Sequence, residues 1–128
     1  MDLTSLRFTP THEWVYLEGN LATVGISQFA VDQLTDLIHL ELPAVGTRIT
    51  PGKSFGEVES VKAVSDLYAP VGGEVVEVNA EVARNVQLLA EGPYDKGWLI
   101  KVHVDDPPAT AELMDLAAYE KKVAEEAH

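Results

Sequence analysis

Short runs of Val, Ile, Leu and aromatic residues, most of them stopped by Gly, Pro or Asn, fill the chain from about residue 13 to about residue 104. That punctuation limits the possible folds more than any other feature. Runs so short, with polar and apolar residues alternating, have the period of half-buried strands. Glu13 to Leu17 ends at Glu18-Gly19-Asn20 and Leu21 to Ile26 returns, so the spacing predicts a hairpin. Further strands are expected at Ile38 to Leu42, Arg48 to Thr50, Ser54 to Ser60, Ser65 to Ala69, Glu74 to Val78 and Trp98 to Val104. Asn85 to Leu89 reads as one more short segment of that series. Pro43, Gly46, Pro51-Gly52, Pro70, Gly72-Gly73 and Gly92-Pro93 supply the turns. Gly56-Glu57-Val58 and Gly73-Glu74-Val75 echo each other faintly, which fits two similar halves facing each other in a sandwich.

Two places break the β pattern. Ser27 is placed as the N-cap of a short helix in which Ala30, Leu34 and Leu37 recur at helical spacing. After Asp105-Asp106-Pro107-Pro108 the chain turns rich in Ala, Glu, Leu and Lys, and a helix is expected over about 109–126. Its modest stripe of Leu113, Leu116, Ala117, Glu120, Val123 and Ala124 suits a helix lying outside the sheets. The expected fold is mainly β: two antiparallel sheets packed as a flattened barrel or sandwich, with a short inserted helix and a C-terminal helix. Residues 1–128 are expected to form one domain, with its β core at about 12–104.

Charge excludes several functions. Against 9 Lys+Arg stand 21 Asp+Glu, a net charge of −12. Such a surface repels nucleic-acid phosphates and anionic membranes and suits partners with basic patches. There is no cysteine, so neither a disulfide framework nor a Cys-based metal site exists. His12, His39, His103 and His128 lack metal-ligand spacing, so no metal is expected. Met1 to Pro10 has neither the apolar stretch of a signal peptide nor the composition of a transit peptide. No apolar run approaches a membrane span. A cytoplasmic monomer is the expectation.

The informative stretch is Glu59-Ser60-Val61-Lys62-Ala63, between two alternating strands. A short turn between antiparallel strands carries its tip residue away from the core. Lys62 is then a solvated amine on a rigid hairpin, the setting of a modification target. Glu57 and Glu59 lie two apart on a strand and share a face. With no accompanying nucleophile they read as a solvated face rather than an acid–base pair. Trp14, Tyr16, Phe55 and Trp98 read as core aromatics.

The chain resembles the glycine cleavage system H proteins, which have the lipoyl-carrier fold. His12-Glu13-Trp14-Val15, Val24-Gly25-Ile26-Ser27 with Ala30, Leu34-Thr35-Asp36-Leu37-Ile38 with Leu42-Pro43 and Gly46, Glu59-Ser60-Val61-Lys62-Ala63 with Asp66, Pro70 and Gly73, and Pro93-Tyr94 with Gly97-Trp98-Leu99 match that family in order. Biotin carriers usually place Met on both sides of their lysine, whereas Val61 and Ala63 stand here. The chain departs from the family's frequent Gly at Thr35, His at Gln33, Pro at Val86 and Asn at Ala90.

The resemblance implies a carrier rather than an enzyme. Its cofactor would be lipoate, bound as an amide to Lys62. The arm would accept the aminomethyl group of decarboxylated glycine, shelter it, and pass between three partners. These are a pyridoxal-phosphate glycine decarboxylase, an aminomethyltransferase and a dihydrolipoamide dehydrogenase. A lipoate ligase or a lipoyl/octanoyl transferase would attach the group. Thr11, Glu13 and Asp66 would contact the loaded arm in a cleft, and Glu59 would help the modifying enzyme recognise the lysine.

Overall fold

The computed structural model describes residues 2–126, so Met1, Ala127 and His128 fall outside the description. Nine strands form two antiparallel sheets. In chain order these are β1 (Arg7–Phe8), β2 (Glu13–Glu18), β3 (Leu21–Ile26), β4 (Leu37–Glu41), β5 (Arg48–Ile49), β6 (Ser54–Ser60), β7 (Val64–Tyr68), β8 (Gly73–Val78) and β9 (Ile100–Val104). The large sheet runs β1-β2-β3-β9-β8-β5 and the small one β4-β6-β7. Four helices accompany them: α1 (Gln28–Leu34), α2 (Ala80–Arg84), α3 (Gln87–Glu91) and α4 (Leu116–Glu126).

The expected hairpin is present as β2 and β3, with Glu13 opposite Ile26 and Glu18 opposite Leu21. Inward residues of the two sheets form the core. Val24, Val75, Ile100 and Val102 come from the large sheet, and Leu40, Val58 and Leu67 from the small one. The two Gly-Glu-Val segments lie on different sheets, with Val58 and Val75 both buried.

The barrel part of the expectation is corrected: the sheets stay open and face each other as a sandwich. The reason lies at the crossings. Pro43 separates β4 from β5, Pro51 separates β5 from β6, and Pro70 separates β7 from β8. Each is a passage from one sheet to the other, and proline has no N–H to continue a ladder. Toward that corner Gly52 N–H donates to Ala69 O at 2.9 Å and Ala69 N–H to Lys53 O at 2.8 Å, which extends the β6–β7 pairing rather than joining the two sheets.

Asn85 to Leu89 is not a strand. Asn79 caps α2 by accepting the Val82 N–H, and its amide also donates to Lys96 O at 2.9 Å and Trp98 O at 2.7 Å. Two helical turns follow, with Val82 and Leu89 fully buried. The expected C-terminal helix divides. Pro107–Glu112 is a 3-10 segment, and α4 starts only at Leu116, where the Asp115 carboxylate accepts the Ala118 N–H. Its buried face also differs from the expected stripe. Tyr119 is the buried residue, while Ala117, Glu120 and Ala124 are exposed.

Tyr119 belongs to a second apolar cluster, with Leu6, Phe8 and Trp14, on the outer side of the β1–β2 edge. Its ring stacks on Phe8, with centroids 4.3 Å apart. Trp14 packs over Gly25, where a Cβ would lie 2.5 Å from the indole, and its Nε1–H donates to Ile26 O and Pro93 O. Phe55 is buried in the core, while Tyr16 and Trp98 are half-buried.

Thr35 ends α1 at φ 49°, and its N–H donates to Val31 O. A β-branched residue is strained at positive φ. Replacing Thr35 by Gly removes that strain at the cost of a more flexible unfolded chain. Thr35→Gly is expected to raise stability by about 1 kcal/mol in urea unfolding. An unchanged or lower midpoint would show that Thr35 is not strained.

Candidate functional site

β6 and β7 present Lys62 at their turn. Ser60, itself buried, supports it from below. Its N–H donates to Ala63 O at 2.8 Å, and its Oγ accepts the N–H groups of Lys62 and Ala63, each at 3.3 Å. Val61 N–H donates to Asp36 O at 3.2 Å, which ties the turn to the segment after α1. The tip is therefore held by its backbone while its side chains face solvent. Val61, Lys62, Ala63 and Val64 are all exposed. The Lys62 ammonium has no ion pair or hydrogen bond among the described residues.

Further down the same strands lies a cleft of about 160 Å³. Ile26, Ala30 and Leu34 line one side, Val58 and Leu67 the other, and Thr11, His12, Glu13 and Asp66 complete it. Asp66 lies on β7, four residues after Lys62.

Glu13 is the buried anion of this cleft, 2% exposed. Its Oε1 accepts from the Thr9 hydroxyl at 2.7 Å and from the Thr11 hydroxyl, and its Oε2 accepts from Tyr68 N–H at 3.3 Å. Burial pushes its pKa above the ordinary carboxylate value, and those donors pull it part of the way back. Asp66 is exposed, opposite Glu57 on β6, and accepts from the Tyr68 hydroxyl at 3.4 Å. A second, larger cavity of about 380 Å³ reaches Glu13 from the other side, past Pro10, Pro51, Tyr68, Pro70 and Leu113.

The structure thus gathers Thr11, Glu13 and Asp66 around one cleft, with Lys62 at the end of the hairpin that forms a wall of it. Glu59 stands apart, half-buried opposite His39 and Val64. Among the described residues no three His, Asp or Glu side chains converge as a metal site.

Residues 6–126 match the family described as Glycine cleavage H-protein. The chain belongs to the glycine cleavage H-protein family. It is 50% identical over 121 residues to the glycine cleavage system H protein of Carboxydothermus hydrogenoformans, covering 94% of this chain and 93% of that one. It is 48% identical over 124 residues to glycine cleavage system H protein 2, mitochondrial, of Arabidopsis thaliana, covering 97% of this chain and 80% of that one. The crystal structure of an H protein from Mycobacterium marinum superposes with a TM-score of 0.86 at 37% identity, covering 93% of this chain and 96% of that one.

His12, which lines the cleft, and Ser27 and Tyr119 behind it were not expected to act together. Their side chains form one hydrogen-bonded group, Ser27 Oγ to Tyr119 Oη at 2.5 Å and Tyr119 Oη to His12 Nδ1 at 2.7 Å. His12 stands beside Glu13 and Ser27 caps α1, both visible in sequence. Tyr119 did carry a signal, since it stands three residues after Leu116 and four before Val123, on one helix face with them.

The raised pKa of Glu13 sets a pH dependence. The folded state favours its neutral form, so its contribution to stability is fullest below the ordinary carboxylate range. It is lost as pH rises through the raised folded value. Glu13→Gln removes that titration. As pH rises through and above the ordinary carboxylate range, wild type is expected to lose stability relative to the Gln variant in paired urea unfolding curves. A constant gap across that range would show that Glu13 titrates normally.

Proposed function

We propose that this chain carries a lipoyl group in amide linkage to Nζ of Lys62 and serves glycine cleavage as a carrier, not an enzyme. The observation that supports this most strongly is the pairing of a free, fully displayed amine with a sheltered cleft on the same hairpin. The residues present suit the group. The Lys62 side chain faces solvent, and the nearby Val61 and Val64, 62% and 57% exposed, offer an apolar path from it. The cleft walls are apolar, as a hydrocarbon arm needs, and its one buried charge is Glu13. When bound, the lipoyl group supplies a redox-active disulfide whose sulfurs receive and release the glycine-derived unit.

The chain's own part is to hold, shelter and present. Ser60 fixes the tip so that the arm starts from one place. Ile26, Leu34, Val58 and Leu67 keep water from the arm when it folds back. A cationic amine at the arm's end would meet Glu13 with Thr11 beside it, and Asp66 at the rim, in charge-assisted hydrogen bonds. Glu59, half-buried on β6 three residues before Lys62, is offered to the lipoate ligase or lipoyl/octanoyl transferase. The partners belong to the glycine cleavage system: the pyridoxal-phosphate decarboxylase, the aminomethyltransferase and dihydrolipoamide dehydrogenase. Among the described residues no helix is long and apolar enough to cross a membrane. We take the chain as one carrier domain acting as a cytoplasmic monomer.

Incubation with lipoate, ATP and a lipoate ligase, followed by intact-mass measurement, tests this reading. One lipoyl adduct is expected on the wild type and none on Lys62→Ala or Lys62→Arg. An adduct retained by Lys62→Ala, or none on folded wild type, would overturn it.

A further inference from the structure

His12 has φ 77°, a left-handed conformation that a residue with a side chain seldom keeps without support. It lines the cleft and directly precedes Glu13. Its support comes from elsewhere in the chain. Nδ1 meets the Tyr119 hydroxyl at 2.7 Å, Nε2 lies 3.0 Å from Glu126 Oε2, and the ring packs on Phe29 of α1 at 4.8 Å. Two of these contacts are to α4. The same Tyr119 hydroxyl reaches Ser27 Oγ, whose other task is to accept the Ala30 N–H and start α1. Ser27 N–H also donates to His12 O at 2.9 Å, which closes the group into a ring. One hydroxyl therefore joins both sides of the cleft, the turn before Glu13 and the helix bearing Ala30 and Leu34.

The hydrogens of this group have one consistent arrangement when His12 is neutral. Burial pushes the His12 pKa down, and it holds the Tyr119 hydroxyl up at about 12, so Tyr119 keeps its proton. Nε2–H then donates to the Glu126 carboxylate, which leaves Nδ1 as an acceptor. Tyr119 O–H donates to Nδ1, and Ser27 O–H donates to Tyr119. Every member is satisfied, and Ser27 and Tyr119 are both buried.

We propose that Tyr119 is a positioning residue for the sheltered arm. Through its hydroxyl the C-terminal helix holds His12 in its left-handed conformation, and so keeps the Glu13 carboxylate and the start of α1 at their places around the cleft. This rests on the carrier reading above, in which the loaded arm lies in that cleft. The role belongs to the hydroxyl and not to the ring, since the ring's stacking on Phe8 supports the fold whether or not the oxygen is present.

Lipoylated protein loaded with the glycine-derived group is compared as wild type, Tyr119→Phe, Ser27→Ala, their double variant, Val123→Ala and Glu13→Ala. Loss of the group in water is followed by intact mass, and melting is recorded for each. In parallel, the ¹⁵N signals of the His12 ring are measured on unmodified chain. Tyr119→Phe is expected to lose the group roughly five-fold faster, the effect of one hydrogen bond. Ser27→Ala should act in the same direction, and the double variant should add little. Val123→Ala, which trims the same helix without touching the hydroxyl, should melt earlier and keep the wild-type lifetime. The ring should be protonated at Nε2 alone in wild type and shift to a mixture of tautomers in Tyr119→Phe. A wild-type lifetime in Tyr119→Phe, beside a shortened one in Glu13→Ala, overturns the positioning role and leaves the carrier reading intact. Equal lifetimes in all variants, Glu13→Ala included, overturn the cleft reading and this inference together.

Discussion

Glu13 is a carboxylate taken out of water between two sheets, and much of the site's geometry follows from what that demands. A buried carboxylate needs donors on both oxygens or it reverts to the neutral acid. Thr9 and Thr11 serve one oxygen from the loop before β2, and the Tyr68 backbone serves the other from the end of β7. The first group belongs to the large sheet's edge and the second to the small sheet. The carboxylate therefore links two layers that the crossing prolines prevent from joining by a ladder. Removing it would lose an anion at the cleft and a tie between the sheets at one stroke.

Lys62 obeys the opposite rule. Its turn spends backbone hydrogen bonds on rigidity and none on the ammonium, which stays in water. For a carrier attached at Lys62, as proposed, this separation is needed. A flexible base would add its own disorder to that of a long arm, whereas a fixed base lets the arm's length alone decide what it reaches. The cost appears as exposed apolar surface. Val61 and Val64 stand in solvent at the tip, where a purely structural turn would favour polar residues.

Most of the β framework was legible in sequence because strands cut by Gly and Pro announce both their ends. The β2–β3 hairpin, the N-cap at Ser27 and the β6–β7 turn followed from local chemistry alone. What escaped was set by distant contacts. Asn85 to Leu89 has the composition of a strand, but the Asn79 cap and the burial of Val82 and Leu89 wind it into helical turns. The two-residue strand β1 is too short to show a period, and it exists because Arg7 and Phe8 pair with Val15 and Trp14. Tyr119 shares a helix face with Leu116 and Val123, but what singles it out for burial is Phe8, more than a hundred residues earlier. Of the site, Lys62, Glu13, Thr11 and Asp66 came from a family resemblance. Residue patterns alone went no further than an exposed lysine on a hairpin.

The positive φ values of residues other than glycine are not scattered over the fold. Among the described residues they are His12, Thr35 and Asp36. His12 sits against Glu13 at the cleft. Asp36, just after α1, offers its carbonyl to Val61 N–H at the lysine turn. Strain of this kind survives only where surrounding contacts over-determine it, and here those contacts are the ones that shape the cleft and the lysine turn. The family often has glycine where Thr35 stands, which would take up the same bend without strain. In this chain the bend is enforced by its neighbours instead: the Thr35 N–H is held by Val31 O, and the Asp36 carbonyl is held by the turn it supports. Relaxing Thr35 would thus bear on stability first and on the lysine only through Asp36. His12 has no such intermediary, because the residue after it is the carboxylate itself.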